Sequence, residues 1–388
     1  MRPRHCTIMT ISVSFNIVLI GYIYFSTRKT TINRDDGSRI MAASLGIQKS
    51  QTDLSHPKFL MGLRSVISPP THPVTEANTQ VTNIDNENQN TPLVKCLTPT
   101  KSQNQKQSVY SWNGLTWKEN KTVCANLPKF RKGTLRTSSG DTPIFVHEPG
   151  VDKYISHHIL VSGTWEREVA VAVVAFLQAD KNLQFVDIGA NIGVISLEVA
   201  KLGRRVVSVE PLIDNIQRLC SSVDAGHFSN DVTMVFNAIS DTHEQVSLGR
   251  DQDNVGGTFV LNNNPNKRNG SDVKLIGQYR ELVQTILLND LLSLLSSDPL
   301  TKVVIKLDVE GYEDHVLNGA DEFFRQVDVQ TVVMEWTYSK VPGTAETIQS
   351  FMSRHSMYPY DFNHWPLELT PRAIWPPNVA WIKQSRNP

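Results

Sequence analysis

The sequence lacks several features that would assign it to a common functional class. Its 38 basic and 38 acidic residues cancel, so bulk charge gives no indication of a nucleic-acid partner or of an anionic membrane surface. It has only four cysteines, with no C-x-x-C pair and no His/Cys cluster at zinc spacing. No internal repeat is visible. We therefore expect no nucleic-acid partner and no metal site.

Charged residues are absent from Cys6 to Phe25, CTIMTISVSFNIVLIGYIYF. A helix of about 20 apolar residues crosses a hydrocarbon layer of ~30 Å. A cleaved signal peptide and a buried core helix are the alternatives. The aromatic residues at the end of the segment suit a membrane interface, and the sequence after it is a poor cleavage context. This pattern predicts a cytoplasmic tail (1–5) and a transmembrane signal anchor (6–25).

The charges that flank this segment do not set its orientation, because two arginines precede it and Arg-Lys follows it. Sequons at Asn120 and Asn269 lie in polar stretches and would be usable if the C-terminal part were lumenal. We therefore expect a single-pass type II protein of the Golgi or endoplasmic reticulum. Since Cys6 lies in the anchor and Cys220 in a predicted helix, Cys96 and Cys124 are the candidate lumenal disulfide.

Residues 26–138 are rich in Ser, Thr, Asn, Gln and Pro and show no sustained period. Such a composition cannot bury enough apolar area to offset chain entropy. It predicts a flexible stem, with a little order around Trp112 and Trp117.

Residues 139–388 differ from the predicted stem in their apolar pattern, which predicts a folded domain. Apolar runs typical of buried parallel strands recur in it, several of them before helical patterns: QFVDI, RVVSV, VTMVFNAI, QTILL, KVVIKLDV and QTVVMEW. This alternation predicts a doubly wound α/β sheet. The tail WPPNVAWIKQ predicts a late antiparallel edge strand that completes seven strands.

The loop VDIGANIG, residues 186–193, connects the first of these strands to a helix with Ile195 and Val199 on one face. A dinucleotide fingerprint has glycine where this loop has Asn191, and a side chain there obstructs a pyrophosphate. NAD and FAD are therefore disfavoured. A nucleoside with a smaller zwitterionic tail would still fit, with its carboxylate at the helix start and its ammonium near Asp187.

An acid follows the second strand at the spacing expected for ribose recognition. Glu210 lies 21 positions after Gly189, where it could accept hydrogen bonds from both ribose hydroxyls. A plain glycine turn and a solvent-exposed acid are the alternative interpretation. The combination predicts S-adenosylmethionine as cofactor, held by Asp187, Gly189, Asn191, Gly193 and Glu210.

These motifs, together with IKLDVEGYEDHVLNGA at residues 305–320, resemble the FkbM family of S-adenosylmethionine-dependent methyltransferases. The resemblance runs from about Phe145 to the C-terminus and departs from the family pattern after RLCSS, on the adenine side. It implies a class I methyltransferase fold, Rossmann-like with a mostly parallel seven-stranded sheet. It also implies O-methylation of hydroxyls, commonly on sugars or secondary metabolites.

Methyl transfer to a hydroxyl needs alignment for in-line displacement and a base that removes the proton. Lys306 and Asp308 share one face of a predicted strand, and Glu310 follows at its end. We expect Asp308 or Glu310 to be the base or the carboxylate that orients the acceptor, with Lys306 tuning its charge. Alternatively, Glu310 and Glu313 only favour the start of the next helix. Weaker candidates are Glu335, His157, His158 and Glu166.

The sequence therefore predicts an O-methyltransferase that acts on a hydroxyl, on a glycan or glycoconjugate, in the secretory pathway. A Golgi-type glycosyltransferase shares the order of anchor, stem and domain and normally needs a D-x-D motif. Asp251 to Asp253 reads DQD, but no apolar strand precedes it. A catalytically inactive nucleoside-binding domain is the other alternative.

Overall fold

The computed structural model describes residues 108–250, 254–261, 281–295 and 301–384. The predicted tail and anchor, most of the predicted stem, the DQD tripeptide and the Asn269 sequon lie outside these ranges. Within them, no helix is both long and apolar enough to cross a bilayer.

The described ranges contain fifteen strands and seven α-helices. The strands are β1 (Ser108–Trp112), β2 (Trp117–Glu119), β3 (Arg131–Thr137), β4 (Gly140–Val146), β5 (Gln184–Ile188), β6 (Val206–Val209), β7 (Val232–Val235), β8 (Ala238–Ile239), β9 (Gln245–Gly249), β10 (Phe259–Val260), β11 (Glu281–Ile286), β12 (Lys302–Leu307), β13 (Asp328–Glu335), β14 (Met357–Tyr360) and β15 (Asn378–Lys383). The helices are α1 (Ile155–Ser162), α2 (Arg167–Gln178), α3 (Val194–Lys201), α4 (Ile213–Ala225), α5 (Glu313–Asn318), α6 (Asp321–Gln326) and α7 (Thr344–Arg354).

The main sheet has nine strands in the described part of the chain, in the order β14-β15-β13-β12-β5-β6-β7-β1-β2. Five central strands, β5, β6, β7, β12 and β13, are parallel, as the apolar runs predict. The run QTILL belongs instead to β11 in a second sheet, where it pairs with β8 and β9. The predicted mostly parallel α/β sheet is confirmed, and β1 and β2 extend it beyond seven strands.

The C-terminal strand is antiparallel, as predicted, but it is not an edge strand. β15 lies between β13 and β14 and pairs antiparallel with both. The strand is buried over Val379, Ala380 and Trp381, which agrees with neighbours on both sides. The prolines that indicated an edge precede the strand, so they remove no hydrogen bond from it.

Side chains of the central strands alternate between two hydrophobic clusters, one on each face of the sheet. Along β12, Val303, Ile305 and Leu307 belong to the cluster with α5, α6 and α7, whereas Val304 belongs to the cluster with α2, α3 and α4. This period of two also fixes the direction of the polar residues. Lys306 therefore lies on the side of α2 and α3.

The described structure reaches back to Ser108, so part of the predicted stem, before the boundary at residue 139, is folded. β1 pairs parallel with β7, and β2 pairs antiparallel with β1. Trp112 and Trp117 form an edge-to-face pair with centroids 5.5 Å apart, and the Trp117 indole donates to the Asp290 carbonyl. Main-chain pairing and two indoles hold this segment, and neither leaves a periodic pattern in the sequence.

The disulfide joins Cys124 to Cys220, with Cα atoms 5.7 Å apart. Cys220 is buried in α4, and the bond links that helix to the segment after β2, 96 residues away in sequence. The candidate pairing of Cys96 with Cys124 is therefore wrong, and Cys96 lies outside the described residues. The prediction set Cys220 aside because of its helix, but a helical cysteine can bond whatever packs on that helix.

Candidate active site

A cleft of about 1030 Å³ opens at the carboxyl ends of the central strands. Seven of the eight residues predicted as catalytic or cofactor-binding line it: Asp187, Gly189, Asn191, Glu210, Lys306, Asp308 and Glu310. Ligands of open α/β sheets bind at this edge. Gly193 is the predicted residue that does not line the cleft.

The two loop glycines are required by close contacts within the protein. A Cβ atom on Gly189 would lie 1.8 Å from the Asp308 carbonyl oxygen, so glycine lets the β5 and β12 loops approach. A Cβ atom on Gly193 would lie 2.3 Å from Leu219 Cδ1 of α4. Both residues also have positive φ, 79° and 90°. Gly193 therefore serves helix packing at the start of α3.

Asn191 occupies the position that would be glycine in a dinucleotide site, with a left-handed φ of 54°. Its side-chain oxygen accepts a hydrogen bond from the Ile192 amide at 2.7 Å. Its own amide donates to Glu210 Oε2 at 2.8 Å. The loop is thus tied to the end of β6, and its backbone is fixed before any ligand binds.

Glu210 is 4% exposed and already accepts three hydrogen bonds. Besides the Asn191 amide, the Leu212 amide and the Asn215 side chain donate to it at 2.9 and 3.2 Å. Burial raises the pKa of Glu210 to about 7, although these hydrogen bonds oppose the shift. A carboxylate has about four acceptor sites, so about one remains for a ligand. This leaves room for one ribose hydroxyl, where the sequence predicted two.

A buried histidine that sequence reasoning missed supports Glu210. His147 Nε2 donates to Asn215 Oδ1 at 2.8 Å, which directs the Asn215 amide nitrogen toward Glu210. Burial, followed by the charge of Arg218, lowers the pKa of His147 to about 4. The ring is therefore neutral near pH 7, where one nitrogen donates. No local signal around His147 marks this role.

Asp187, at the end of β5, offers an acceptor without a partner. Its Oδ2 accepts from the Ser196 hydroxyl at 2.6 Å, whereas its Oδ1 is buried with no hydrogen-bond partner in the described structure. Burial raises the pKa of Asp187, against the nearby charge of Lys306. A buried orphan acceptor is costly until a donor reaches it. A ligand ammonium would satisfy it.

Lys306 neighbours Asp187 across the β5–β12 register, and its ammonium lies inside the cleft wall. Its Nζ donates to Asp308 Oδ2 at 2.8 Å and approaches the Gly189 carbonyl at 3.5 Å. Burial lowers the pKa of Lys306, but the charges of Asp308, Asp187 and Glu166 outweigh it, so the pKa is raised. Lys306 is therefore charged and fixes the Asp308 carboxylate.

Glu310 and Glu313 play different parts in the loop after β12. Glu313 is fully buried and accepts from the Val309 and Gly311 amides at 3.1 and 3.2 Å, and from the Ser339 hydroxyl at 2.9 Å. It therefore holds the loop rather than only favouring a helix start. Glu310 is half-buried, has a φ of 57° and lines the cleft.

The four weaker candidates from the sequence differ in their position relative to the cleft. Glu166 lines the cleft before α2, and burial raises its pKa to about 7. His157 and His158 are exposed on α1 and do not line the cleft. Glu335, the last residue of β13, lies beside Asp308.

The second sheet and the segment after it close one side of the cleft. Leu248 of β9 and Phe259 of β10 contribute apolar surface, and Gly256 lies between them in sequence. A Cβ atom on Gly256 would lie 2.3 Å from Ile155 Cδ1. Asn237 also lines the cleft, but Trp112 and Gln284 already bond its amide. Sequence reasoning missed this wall, because it combines short strands with polar loops.

No group of three or more His, Cys, Asp or Glu side chains in the described ranges is placed to hold a metal ion. The groups that face a ligand are instead the buried unpartnered oxygen of Asp187, the Glu210 carboxylate and the Lys306 ammonium, because the amides of residues 189–193 already donate within the protein. Asp187 can take an ammonium, and Glu210 a ribose hydroxyl. These residues fit the cofactor predicted from the sequence.

Comparisons with known proteins match part of the chain to a methyltransferase family model. The family model described as the methyltransferase FkbM domain matches residues 187–369. A search of curated proteins finds no match.

Solved structures with a similar arrangement include a precorrin-6y C5,15-methyltransferase from Geobacter metallireducens, at 13% identity and a TM-score of 0.29, which covers 56% of this chain and 88% of that one. A magnesium protoporphyrin IX methyltransferase from Synechocystis with bound SAM has 11% identity and a TM-score of 0.31, over 60% and 85%. A 16S rRNA methyltransferase from T. thermophilus has 12% identity and a TM-score of 0.32, over 66% and 52%. Such low similarity carries no conclusion about activity.

The order of the seven strands from β14 to β7, with β15 antiparallel, is that of a class I methyltransferase-like fold. The predicted cofactor, S-adenosylmethionine, is confirmed with the family. Residues 187–369 of this chain match the model of the methyltransferase FkbM domain, the family that the sequence motifs resemble.

Proposed function

We propose that this chain is an O-methyltransferase that transfers the methyl group of S-adenosylmethionine to a hydroxyl of a glycan or glycoconjugate. One observation carries the proposal: the same cleft combines the unpartnered Asp187 Oδ1 with an Asp308 carboxylate that Lys306 fixes at 2.8 Å. The first group suits a cationic ligand and the second suits an acceptor hydroxyl. The cleft thus has a place for both reactants.

The cofactor supplies an electrophilic methyl group on a sulfonium. In this assignment Asp187 binds the ammonium, the amides at the start of α3 face the carboxylate, and Glu210 accepts from the ribose. Asn191 contributes by fixing the loop, and Gly189 by allowing the loop to approach β12. The chain's own residues thereby hold the donor in one orientation, which is the main requirement for in-line displacement.

Asp308 is assigned as the base or orienting carboxylate for the acceptor. Its side chain is 22% exposed and its Oδ2 is bonded to Lys306, and a carboxylate has about four acceptor sites, so acceptor capacity remains for a hydroxyl. A positioned carboxylate removes the proton as the hydroxyl attacks. Glu310, which also lines the cleft, is assigned to contact the acceptor rather than the cofactor.

The secretory compartment is supported by the disulfide and by the predicted anchor. A bond between Cys124 and Cys220 persists in oxidising compartments and is rare in the cytosol. In the Asn120 sequon Lys121 and Thr122 are exposed in a turn, whereas Asn120 itself is half-buried and its amide nitrogen donates to the Ser111 hydroxyl at 3.1 Å, so the sequon adds no support. We therefore propose a single-pass type II protein of the Golgi or endoplasmic reticulum with a lumenal domain and no nucleic-acid acceptor. The glycosyltransferase alternative depends on the DQD tripeptide, which lies outside the described residues. The expectation that no apolar strand precedes it is wrong, because β9 ends at Gly249.

Tritiated methyl incorporation from S-adenosylmethionine into a panel of glycans, glycoconjugates and RNA tests the proposal with the purified chain. We expect label in a methyl ether of a sugar, identified by mass spectrometry of the released monosaccharides. Label in nitrogen, carbon or RNA only would contradict it. Titration with UDP-sugars and NAD serves as the control, and binding of UDP-sugars alone would exclude a methyltransferase.

Asp308→Asn tests the catalytic assignment within this function. The substitution keeps the shape but removes the charge that accepts the proton, so turnover falls by about 10²-fold or more. Cofactor affinity, measured by calorimetry, stays at the wild-type value. Full activity of the variant would remove Asp308 from the mechanism.

A further inference from the structure

A carboxyl group that the proposed reaction does not use lies beside Asp308. Glu335 is the last residue of β13, and the register pairs Lys306 with Val333 and Leu307 with Met334. The next pair along the two strands is Asp308 and Glu335. Because Glu335 alternates with Val333, which packs in the cluster of α2 and α3, its side chain points to the same face as Lys306.

Continued by one residue, this register places the Asp308 and Glu335 carboxyl groups side by side on one face of the sheet. Two like charges that share a site disfavour each other, and two ionised carboxylates have no donor with which to bond one another. We therefore expect one of the two to carry a proton, and the surroundings of each decide which one does.

Asp308 is the carboxyl group of the pair that contacts a cation. Lys306 Nζ donates to Asp308 Oδ2 at 2.8 Å, which stabilises the ionised form. Glu335 has the opposite surroundings, because its Oε2 is buried without a hydrogen-bond partner among the described residues. An ionised carboxylate with an unpaired buried oxygen is very costly, and it neutralises instead.

The charged groups around Glu335 act in the same direction. Burial is the largest cause, and the carboxylates of Asp308, Glu310 and Glu313 add to it, so the pKa of Glu335 is raised to about 11. The ammonium of Lys306 is bonded to Asp308 and does not reverse the shift. Glu335 is therefore a neutral acid near pH 7, and Asp308 accepts hydrogen bonds from both sides.

We propose that Glu335 is a positioning residue for methyl transfer, a permanently protonated carboxylic acid that donates a hydrogen bond to Asp308 and fixes that carboxylate toward the acceptor hydroxyl. This rests on the proposed function. During transfer the acceptor O–H bond and the sulfur–methyl bond break, the oxygen–methyl bond forms, and the proton passes to Asp308. Glu335 keeps its own proton throughout.

Two substitutions separate this role from the alternatives. Glu335→Gln keeps a donor toward Asp308 through its amide and cannot exchange a proton, so we expect kcat within about threefold of wild type. Glu335→Ala removes the donor to a charged acceptor, so we expect kcat to fall about 10- to 100-fold. The KM for S-adenosylmethionine stays unchanged in both. A kcat of Glu335→Gln as low as that of Glu335→Ala would overturn the proposal, because it would make Glu335 a base.

The pH profile distinguishes positioning from a merely structural role. Glu335→Ala removes a hydrogen bond that stabilises the ionised form of the base. The acidic limb of kcat therefore moves to higher pH in Glu335→Ala and stays in place in Glu335→Gln. If the acidic limb of kcat lies at the same pH in the wild type, Glu335→Ala and Glu335→Gln, the proposal is overturned, whatever the rates of the three proteins.

Infrared difference spectroscopy tests the protonation state without any turnover. Near pH 7 the wild-type spectrum should contain a protonated carboxyl band that is absent from the spectrum of Glu335→Gln. Absence of a carboxylate band from the variant instead would overturn the inference. If the wild-type chain shows the protonated carboxyl band but methylates no hydroxyl, the proposed function fails, whereas the inference that Glu335 is protonated stands. If the wild type methylates hydroxyls and Glu335→Ala is fully active, only this inference fails.

Discussion

Breaking the Cys124–Cys220 disulfide should destabilise the domain strongly, because the bond closes a long loop. The cysteines are 96 residues apart. In the chain-entropy model a loop of about 100 residues contributes about 4.7 kcal/mol at 25 °C. For a domain of about 250 residues, 1 kcal/mol shifts Tm by about 2 °C, so the expected loss is roughly 9 °C. We expect Cys124→Ala to show this loss, since Cys124 is only half-buried.

The matched control is Cys96→Ala, which should leave Tm unchanged if Cys96 makes no bond. Thermal denaturation followed by circular dichroism, with and without reductant, measures both variants. Reductant should lower the wild-type Tm to that of Cys124→Ala and leave Cys124→Ala unaffected. Equal losses in Cys96→Ala and Cys124→Ala, with a normal Cys220→Ala, would restore the Cys96–Cys124 pairing and refute the argument. Non-reducing peptide mapping reports the linkage directly.

The same bond should affect cofactor affinity through α4. Cys220 adjoins Leu219, which packs against Gly193, and Asn215 of the same helix donates to Glu210 at 3.2 Å. If α4 is loosened, the glycine loop loses packing at Gly193 and Glu210 loses support from Asn215. Calorimetric titration of the reduced wild type at a temperature where it is still folded should show weaker binding of S-adenosylmethionine. Unchanged affinity would show that α4 keeps its position without the disulfide.

Three further predictions concern the cofactor side of the cleft. Glu210→Ala should weaken S-adenosylmethionine binding by about 1.5–3 kcal/mol in calorimetry, and unchanged affinity would exclude the ribose role. Gly193→Ala should lower unfolding free energy by about 1–3 kcal/mol, because Cβ meets Leu219 at a positive φ; a neutral effect in urea denaturation would contradict this. Since burial raises the pKa of Glu210 to about 7, affinity should fall below that pH as its acceptor protonates, and Glu210→Gln should flatten the profile.

The central strands could be predicted from the sequence because they are buried on both faces. QFVDI forms β5 with the predicted limits, and KVVIK lies within β12. Seven of the eight site residues also reach one cleft, because the carboxyl ends of neighbouring parallel strands share an edge. Patterns of this kind depend on local period and on strand direction, both of which the sequence contains.

Other features depend on contacts between distant segments, which no local pattern records. β1 and β2 are held by pairing with β7 and by two tryptophans, so the polar sequence around them shows no strand pattern. α3 is buried from Val194 to Ala200, although its apolar spacing predicted one buried face. The partner of Cys124 and the support that His147 gives to Glu210 have the same origin, because both join elements far apart in the chain.

The charges in the cleft explain why this fold suits a cationic cofactor. Lys306 is the ammonium around which Asp187, Asp308 and Glu166 converge, so the carboxyl groups outnumber it even with Glu335 neutral. A buried excess of negative charge is relieved either by protonation or by a cation. S-adenosylmethionine carries an ammonium and a sulfonium against one carboxylate, so it supplies the missing positive charge. A dinucleotide would add two phosphate charges and meet Asn191 in the loop, so both electrostatics and shape favour the sulfonium.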